Sequence, residues 1–315
     1  MLHLEVAEYS RVYFWGISKM ILNTLKYIFL SLISFGAGKQ DTRSPAQRLA
    51  TEQAKVIKRH GVMRIDNALD EDMCDRLRQH VLRQQELADI ATTENIELSE
   101  DYYGVENRRK NRCDLLLSLI PDEDDTEDIT LNVLQQVLGA EGTLRPIYEE
   151  LVTNDGEFYE FATVITNPGS DRQQIHPDLP FRKDAPLYVI FLALQDITEA
   201  MGPTTFLLGT HTHKERSKFD NPQMKDEQLA NADSRLALLN KGDAVLFDAR
   251  ILHCGNANEV EGGSTRGEFA HFSAFTHTSP SSLVDPLTHK IMKQQCSTSP
   301  FAILRKSGVW DTVAR

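Results

Sequence analysis

Along this chain the spacing of apolar positions changes character once, near residue 154. Before that point helical signals dominate. The segment "SPAQRLATEQAKVIKRHG" (44–61) opens on Ser44 and Pro45, an N-cap and first-turn pair, and closes on Gly61, where a helix C-terminus favours glycine. "GVMRID" alternates over the length of a short strand. It leads into "NALDEDMCDRLRQHVLRQQELA", where Asp70, Glu71 and Asp72 load the first turn and apolar residues then recur at helical spacing. "ITLNVLQQVLG" and "TLRPIYEELV" predict two further short helices, and the polar, irregular 91–128 predicts a surface stretch able to fold over a site.

After Asn154 the runs become β-rich: "GEFYEFATVI" (156–165), "APLYVIFLALQDI" (185–197), "TTFLL" (204–208), "GDAVLFD" (242–248) and "GEFAHFSAFTH" (267–277), separated by Gly, Pro, Asn and Asp. Helices first and short strands afterwards predict a mainly β barrel or sandwich with helical decoration. The charged "KERSKFDNPQMKDEQLANADSR" (214–235) interrupts the strands and predicts an insertion placed to act as a lid. No repeat period, phosphate loop or G-x-G-x-x-G is present.

Residues 13–38 are hydrophobic but broken by Lys19, Asn23 and Lys26, so no apolar run reaches the roughly 18–20 residues of a spanning helix. Counted from Met20, a lysine-bearing start, apolar "YIFLSLISF" and small "GAG" before polar "KQDTRS" outline a signal sequence or anchor. An amphipathic helix lying on the protein or on a membrane surface is the alternative. Residues 1–40 are therefore set apart as a hydrophobic targeting or anchor segment, with membrane association open through 13–38. Residues 41–315 are expected to form one domain, helical over 44–153 and β over 154–280. The expected location is an organelle or a membrane if the first segment acts, and otherwise the cytoplasm.

The 315 residues, 41% of them hydrophobic, allow a sizeable core. A formal charge of −12 argues against nucleic acid or an anionic membrane surface as the main partner, since either would repel the surface. Part of that charge is the solvated acidic run "PDEDDTED" (121–128), which lacks the spacing of a calcium loop. Cys74, Cys113, Cys254 and Cys296 form no C-x-x-C pair and are read as reduced thiols.

Candidate chemistry begins at "QQIHPDLPF" (173–181). On an extended segment positions i and i+2 share a face, so His176 and Asp178 point the same way. Alone, the triplet also reads as ordinary turn chemistry around Pro177 and Pro180. A third ligand would come from a distant strand, and His253 in "GDAVLFDARILHCGNAN" stands where a β-strand closes in a turn. Alone, His253 is a hydrogen-bonded histidine at a strand end. Two His and one carboxylate on one face of an octahedral ion leave open positions, the arrangement of non-haem Fe(II) oxygenases, where a chelating cosubstrate and dioxygen bind. Arg266, thirteen positions after His253 in "GGSTRGEFAHFSAF", could offer a bidentate fork to the far carboxylate of such a chelate.

With these residues in order, "NPGSDRQQIHPDLPF", "YVIFLALQDITEAMGPTTFLLGTH" and "GDAVLFDARILHCGNANEVEGGSTRGEF" resemble the phytanoyl-CoA dioxygenase-like family of Fe(II)/2-oxoglutarate-dependent oxygenases. The resemblance runs through most of 44–278. It implies a double-stranded β-helix (jelly roll, cupin-like) core with the metal in its mouth. It also implies Fe(II), 2-oxoglutarate and dioxygen as cofactor and cosubstrates, with succinate and CO2 released. His176, Asp178 and His253 match the family's iron ligands, and Arg266 the arginine that pairs with the cosubstrate's distal carboxylate. Gln173 falls where relatives often carry a glutamine near cosubstrate or substrate, and Phe191 at a position often Trp that walls the pocket. Leu208 replaces a loop proline of the family. Glu268 stands where relatives place a hydroxyl, and it would repel a dicarboxylate if it faced the pocket. Retention of Asp178 argues against a halogenase.

The implied activity is oxidation, by hydroxylation or otherwise, of a small or lipid-like organic substrate. The alternative is a non-catalytic jelly-roll binding or sensor protein that keeps the metal site, because a fold does not fix a function. His211, His213, His271 and His277 are read as surface or supporting residues, and Cys254 as core packing. The basic run Arg108, Arg109, Lys110 and Arg112 is read as exposed. Segments 91–120 and 214–235 are expected to decide the substrate.

Overall fold

Ser44 starts the first helix by a reciprocal cap: its hydroxyl accepts from the Gln47 N–H at 3.2 Å and its own N–H donates to Gln47 Oε1 at 2.9 Å. The helix, α1 (Pro45–His60), ends at Gly61, whose φ of 81° and N–H bond to the Ile57 carbonyl at 2.7 Å form a left-handed cap. The computed structural model describes residues 41–94, 111–117, 128–152, 157–185, 187–261 and 270–277, with the backbone alone for 157–160 and 270–277. The chain divides between Arg43 and Ser44, and the fold belongs to the unit from Ser44 onward. The 13–38 segment, most of the acidic run, Arg108–Lys110, Arg266, Glu268 and Cys296 lie outside the described residues.

The expected helices form. Asp70 caps α2 (Glu71–Glu94) by accepting from the Met73 N–H at 2.7 Å, and Cys74, Leu77, Val81 and Ala88 line its buried face. Asp128 caps α3 (Ile129–Leu138), and α4 (Arg145–Leu151) comes next. The strands are β1 (Val62–Ile65), β2 (Arg112–Leu116), β3 (Glu157–Thr166), β4 (Leu187–Ala193), β5 (Thr204–Leu207), β6 (Ser234–Leu236), β7 (Ala244–Asp248), β8 (His253–Gly255) and β9 (Ala270–His277). Between β5 and β6, the charged insertion folds as α5 (His213–Phe219) and α6 (Pro222–Asn231). Strand β2 lies in a stretch expected to be irregular: "RCDLL" is a short alternation beside a basic run, and its pairing with β3 fixes it as a strand.

An antiparallel six-stranded sheet in the order β1-β7-β4-β9-β3-β2 and a three-stranded sheet β6-β5-β8 make up the β part. The near-continuous apolar run of β4 has a direct reason. Tyr188, Ile190 and Leu192 pack with the helices in one cluster, while Leu187, Val189 and Ala193 join Phe206 and Leu239 of the smaller sheet's region in another. β7 divides the same way, with Ala244 and Leu246 toward the helices and Val245 and Phe247 toward the second sheet. Strands covered on both faces need no polar alternation. Each fully buried side chain of this kind contributes about 1.5–3 kcal/mol. Cys74, Cys113 and Cys254 are buried free thiols, and burial pushes Cys74 up to about 12. Among the described residues, no helix is long and apolar enough to cross a membrane.

Candidate metal centre

Register brings the three candidate ligands together. His253 pairs with Phe206 across β8 and β5, and on its other side it exchanges both backbone hydrogen bonds with His176, each at 2.9 Å. Directly opposed residues in an antiparallel pair share a face. Phe206 belongs to the cluster between the sheets, so His253 and His176 turn inward with it, and Asp178 joins them by the two-residue period. The Asp178 N–H donates to the Ala249 carbonyl at 3.0 Å, fixing the segment against the turn after β7.

One donor atom from each of His176, Asp178 and His253 lies within 4.8 Å of the others. Asp178 Oδ1 is 3.3 Å from Nε2 of His253 and 4.0 Å from Nε2 of His176. His253 is buried among Phe206 and Phe247, with ring centroids at 5.7 and 5.3 Å, whereas Asp178 is open to solvent. Each imidazole is oriented by its own backbone: Nδ1 of His176 lies 2.7 Å from the Gln174 carbonyl and Nδ1 of His253 lies 3.0 Å from that of Ile251. A carbonyl can only accept, so Nδ1 carries a proton in both rings, and in the neutral ring Nε2 is left with a lone pair toward the shared space. Burial pulls the His253 pKa down, but the charge and hydrogen bond of Asp178, with the Ile251 carbonyl, outweigh it and hold the imidazole above its usual range. Two imidazole nitrogens and a carboxylate oxygen, all with lone pairs converging, fit a divalent transition metal.

The supporting residues are more specific than the sequence suggested. Gln173 accepts from the Gly255 N–H through Oε1 at 2.8 Å, so only its NH2 is left to offer a carboxylate. Phe191 packs against the inter-sheet cluster, 5.0 Å from Phe247, whose ring also touches that of His253. Arg112 corrects the reading of an exposed basic run. It is buried, donates through Nη2 to the Asn256 carbonyl at 2.6 Å, and lies so close to Gly255 that a Cβ there would collide with its guanidinium. Cys254 alternates away from the triad as expected, and its Sγ lies 3.6 Å from the Arg172 guanidinium.

Two residues of the site's support were missed. Arg250 donates Nε and Nη2 to Asp248 at 2.9 and 2.6 Å and Nη1 to the carbonyls of Arg182 and Lys183 at 2.6 and 2.9 Å. Both side chains are buried. The pair thus ties the stretch after Asp178 to the turn that leads into His253. The one available signal was "DAR", an acid and a base two apart at a strand end.

His211, expected at the surface or in a supporting role, is buried with Nε2 donating to the Lys58 carbonyl at 3.1 Å. Burial lowers its pKa, outweighing Asp248 and the Lys58 bond, which raise it; Arg250 and His60 lower it further. The folded state therefore refuses a proton that the unfolded chain accepts below its ordinary value of about 6.5. Stability contributed by this residue is full above that pH and is lost as pH falls, at no more than about 1.4 kcal/mol per pH unit. Urea unfolding of wild type and His211→Gln between pH 7.5 and 5.5 checks this: the variant is expected to show the shallower decline.

Helices on one face of a six-stranded sheet, a second sheet on the other, and an inward cluster of two imidazoles and a carboxylate define the class, that of proteins built to hold a metal by a 2-His-1-carboxylate face. The chain belongs to the phytanoyl-CoA dioxygenase (PhyH) family, whose profile matches residues 57–266, and is by family an Fe(II)/2-oxoglutarate-dependent enzyme. No curated protein matches the sequence. Among solved structures, the chain is similar to the non-heme alpha ketoglutarate dependent carbocyclase SnoK from nogalamycin biosynthesis, at 13% identity and a TM-score of 0.50 over 74% of this chain and 85% of that one. It is also similar to the epimerase SnoN of the same biosynthesis, at 17% identity and 0.48 over 76% and 93%. AviO1 from Streptomyces viridochromogenes Tue57 aligns at 16% identity and 0.49 over 78% and 100%. The SnoK likeness shows a shared fold.

Proposed function

We propose that this protein is an Fe(II)/2-oxoglutarate-dependent dioxygenase that hydroxylates or otherwise oxidises a small or lipid-like organic molecule. His176, Asp178 and His253 are its iron ligands, and the two sheets form the mouth of a double-stranded β-helix. The observation that carries the reading is the triad itself, with both Nδ1 atoms tied to carbonyls and both Nε2 lone pairs facing the carboxylate. Bound iron would supply the site for 2-oxoglutarate and dioxygen to react.

The chain's own share is positioning and exclusion of water. Paired backbone bonds between His176 and His253 fix the ligand spacing before any metal arrives. Phe206 and Phe247 keep one side of His253 dry, while the open side at Asp178 admits ligands. Phe191 is assigned to the substrate wall. Gln173 is assigned to the cosubstrate through its NH2, and Arg266 to the distal carboxylate of 2-oxoglutarate on the strength of its match to the family's motif. In line with the reading, SnoK, which shares the fold, is itself described as alpha ketoglutarate dependent.

Anaerobic addition of Fe(II) and 2-oxoglutarate to the purified full chain is expected to produce the visible charge-transfer band of the chelate. Its absence from folded, iron-loaded protein would falsify the proposal. Arg266→Leu is expected to leave iron binding intact and to raise the 2-oxoglutarate concentration needed for half-maximal band by about 10- to 100-fold, the worth of a bidentate charge pair. An unchanged requirement removes Arg266 from that role.

A further inference from the structure

Next to the turn that supports the triad lies a cleft of about 390 Å³, walled by four separate stretches of chain. Lys58 comes from the last turn of α1, Phe181 and Lys183 from the stretch after Asp178, His211 from the β5–α5 connection, His213 from the start of α5, and Arg250 from the turn after β7. That volume is at the small end for ligand sites, suited to a headgroup more than to a whole molecule.

In a chain of formal charge −12, this gathering of cationic side chains is a local exception. A concave positive lining concentrates its field on an anion. Of the carboxylates on these elements, Asp248 is engaged by Arg250 at 2.6 Å and Glu215 by Lys218 at 2.8 Å, while the exposed Asp184 follows Lys183. Neither Lys58 nor Lys183 forms an ion pair with a described residue. The Arg250 guanidinium is committed to Asp248 and two carbonyls, so the pair is neutral as a whole and offers no open fork. What remains for a ligand are two exposed ammonium groups and the His213 ring. Point charges arriving from two sides suit a tetrahedral phosphate, whereas a planar carboxylate is best matched by a free arginine fork.

The rim is preorganised. His211 holds the Lys58 carbonyl at 3.1 Å and Arg250 holds the Lys183 carbonyl at 2.9 Å, so a buried side chain ties the backbone beneath each lysine. Phe181 supplies the apolar surface, its ring 5.1 Å from that of His213 and 5.7 Å from the Arg250 guanidinium. It comes three residues after Asp178, so their Cα atoms are at most about 11 Å apart.

We propose that this cleft holds the phosphate group of a phosphorylated organic substrate, whose carbon body passes Phe181 to reach His176, Asp178 and His253. The second half of this rests on the iron reading, while the first stands without it. Calorimetric titration of inorganic phosphate into the metal-free full chain is expected to show one saturable site. Lys58→Ala and Lys183→Ala should each weaken it about five- to tenfold. Lys55→Ala, an exposed α1 lysine paired with Glu52, should leave it unchanged. A medium-chain alkyl phosphate should bind more tightly than both inorganic phosphate and the matching alcohol.

Absent or non-saturable binding, or an equal loss in Lys55→Ala, overturns the proposal. Alkyl phosphate that binds no better than free phosphate overturns its substrate half. Loss of phosphate binding while the Fe(II)/2-oxoglutarate band persists refutes the cleft alone. Phosphate binding in a protein that never forms the band refutes the oxygenase reading alone.

Discussion

Asp178→Ala is expected to abolish the Fe(II)/2-oxoglutarate band and to reduce turnover by more than about 100-fold, because loss of mere outer-sphere support around metal ligands already costs 10- to 100-fold. The fold should hardly notice. Asp178 is exposed, and what anchors it is its backbone N–H on the Ala249 carbonyl, which alanine retains. Nor does the substitution strand a charge. With the carboxylate gone, burial is left as the main influence on His253 and disfavours its charged form, and the ring keeps its Nδ1 bond to Ile251. Thermal unfolding of the metal-free proteins, run beside the absorption titration, separates the two effects. Unchanged unfolding with a lost band establishes the ligand role. A retained band in Asp178→Ala would remove the carboxylate from the metal site.

Arg250→Leu is expected to destabilise the chain by about 3–5 kcal/mol, the usual cost of breaking a buried pair from one side. Asp248 is 2% exposed and would be left with its charge facing a hydrocarbon. The carbonyls of Arg182 and Lys183 would lose their shared donor in the same step. Arg250→Lys should recover little, since a single ammonium cannot bridge a carboxylate and two carbonyls in one plane. Asp248→Leu combined with Arg250→Leu should recover part of the loss, because the unpaired charge disappears. Urea unfolding of wild type, Asp248→Leu, Arg250→Leu and the double variant reads the cycle, and additive losses in the double variant would refute the pairing. Because Arg250 joins the segment after Asp178 to the turn before His253, the leucine variant should also bind iron less tightly at temperatures where it is still folded.

The helices were legible because their signals are local. Ser44 and the acidic first turn from Asp70 announce N-termini, and Gly61 announces a C-terminus, through bonds within four residues, whereas Asp128, read as part of the acidic run, shows its capping role only in the structure. Strand β2 was not legible: the alternation of "RCDLL" spans only four residues beside a basic run, too short to mark a strand, and it becomes one where β3 offers it partners. The β4 run read correctly as a strand, but which of its faces meets helices and which meets the second sheet is a property of the packing. Arg112 shows the limit on charge. A basic run usually stays solvated, yet this member is drawn inside by the Asn256 carbonyl, a partner far along the chain.

What the sequence determined by itself is the chemistry that depends on short periods and residue type: the helix caps, the order of helices before strands, and the shared face of His176 and Asp178, which comes from the two-residue period of an extended chain. His253 could be named from its motif, but its meeting with His176 is decided by a backbone bridge between residues 77 positions apart in the chain. The tautomers of the two imidazoles, the Arg250–Asp248 tie and the cationic cleft were likewise decided by tertiary structure alone. Each depends on atoms from distant segments coming within about 3 Å or enclosing a common space, and no local pattern encodes such distances.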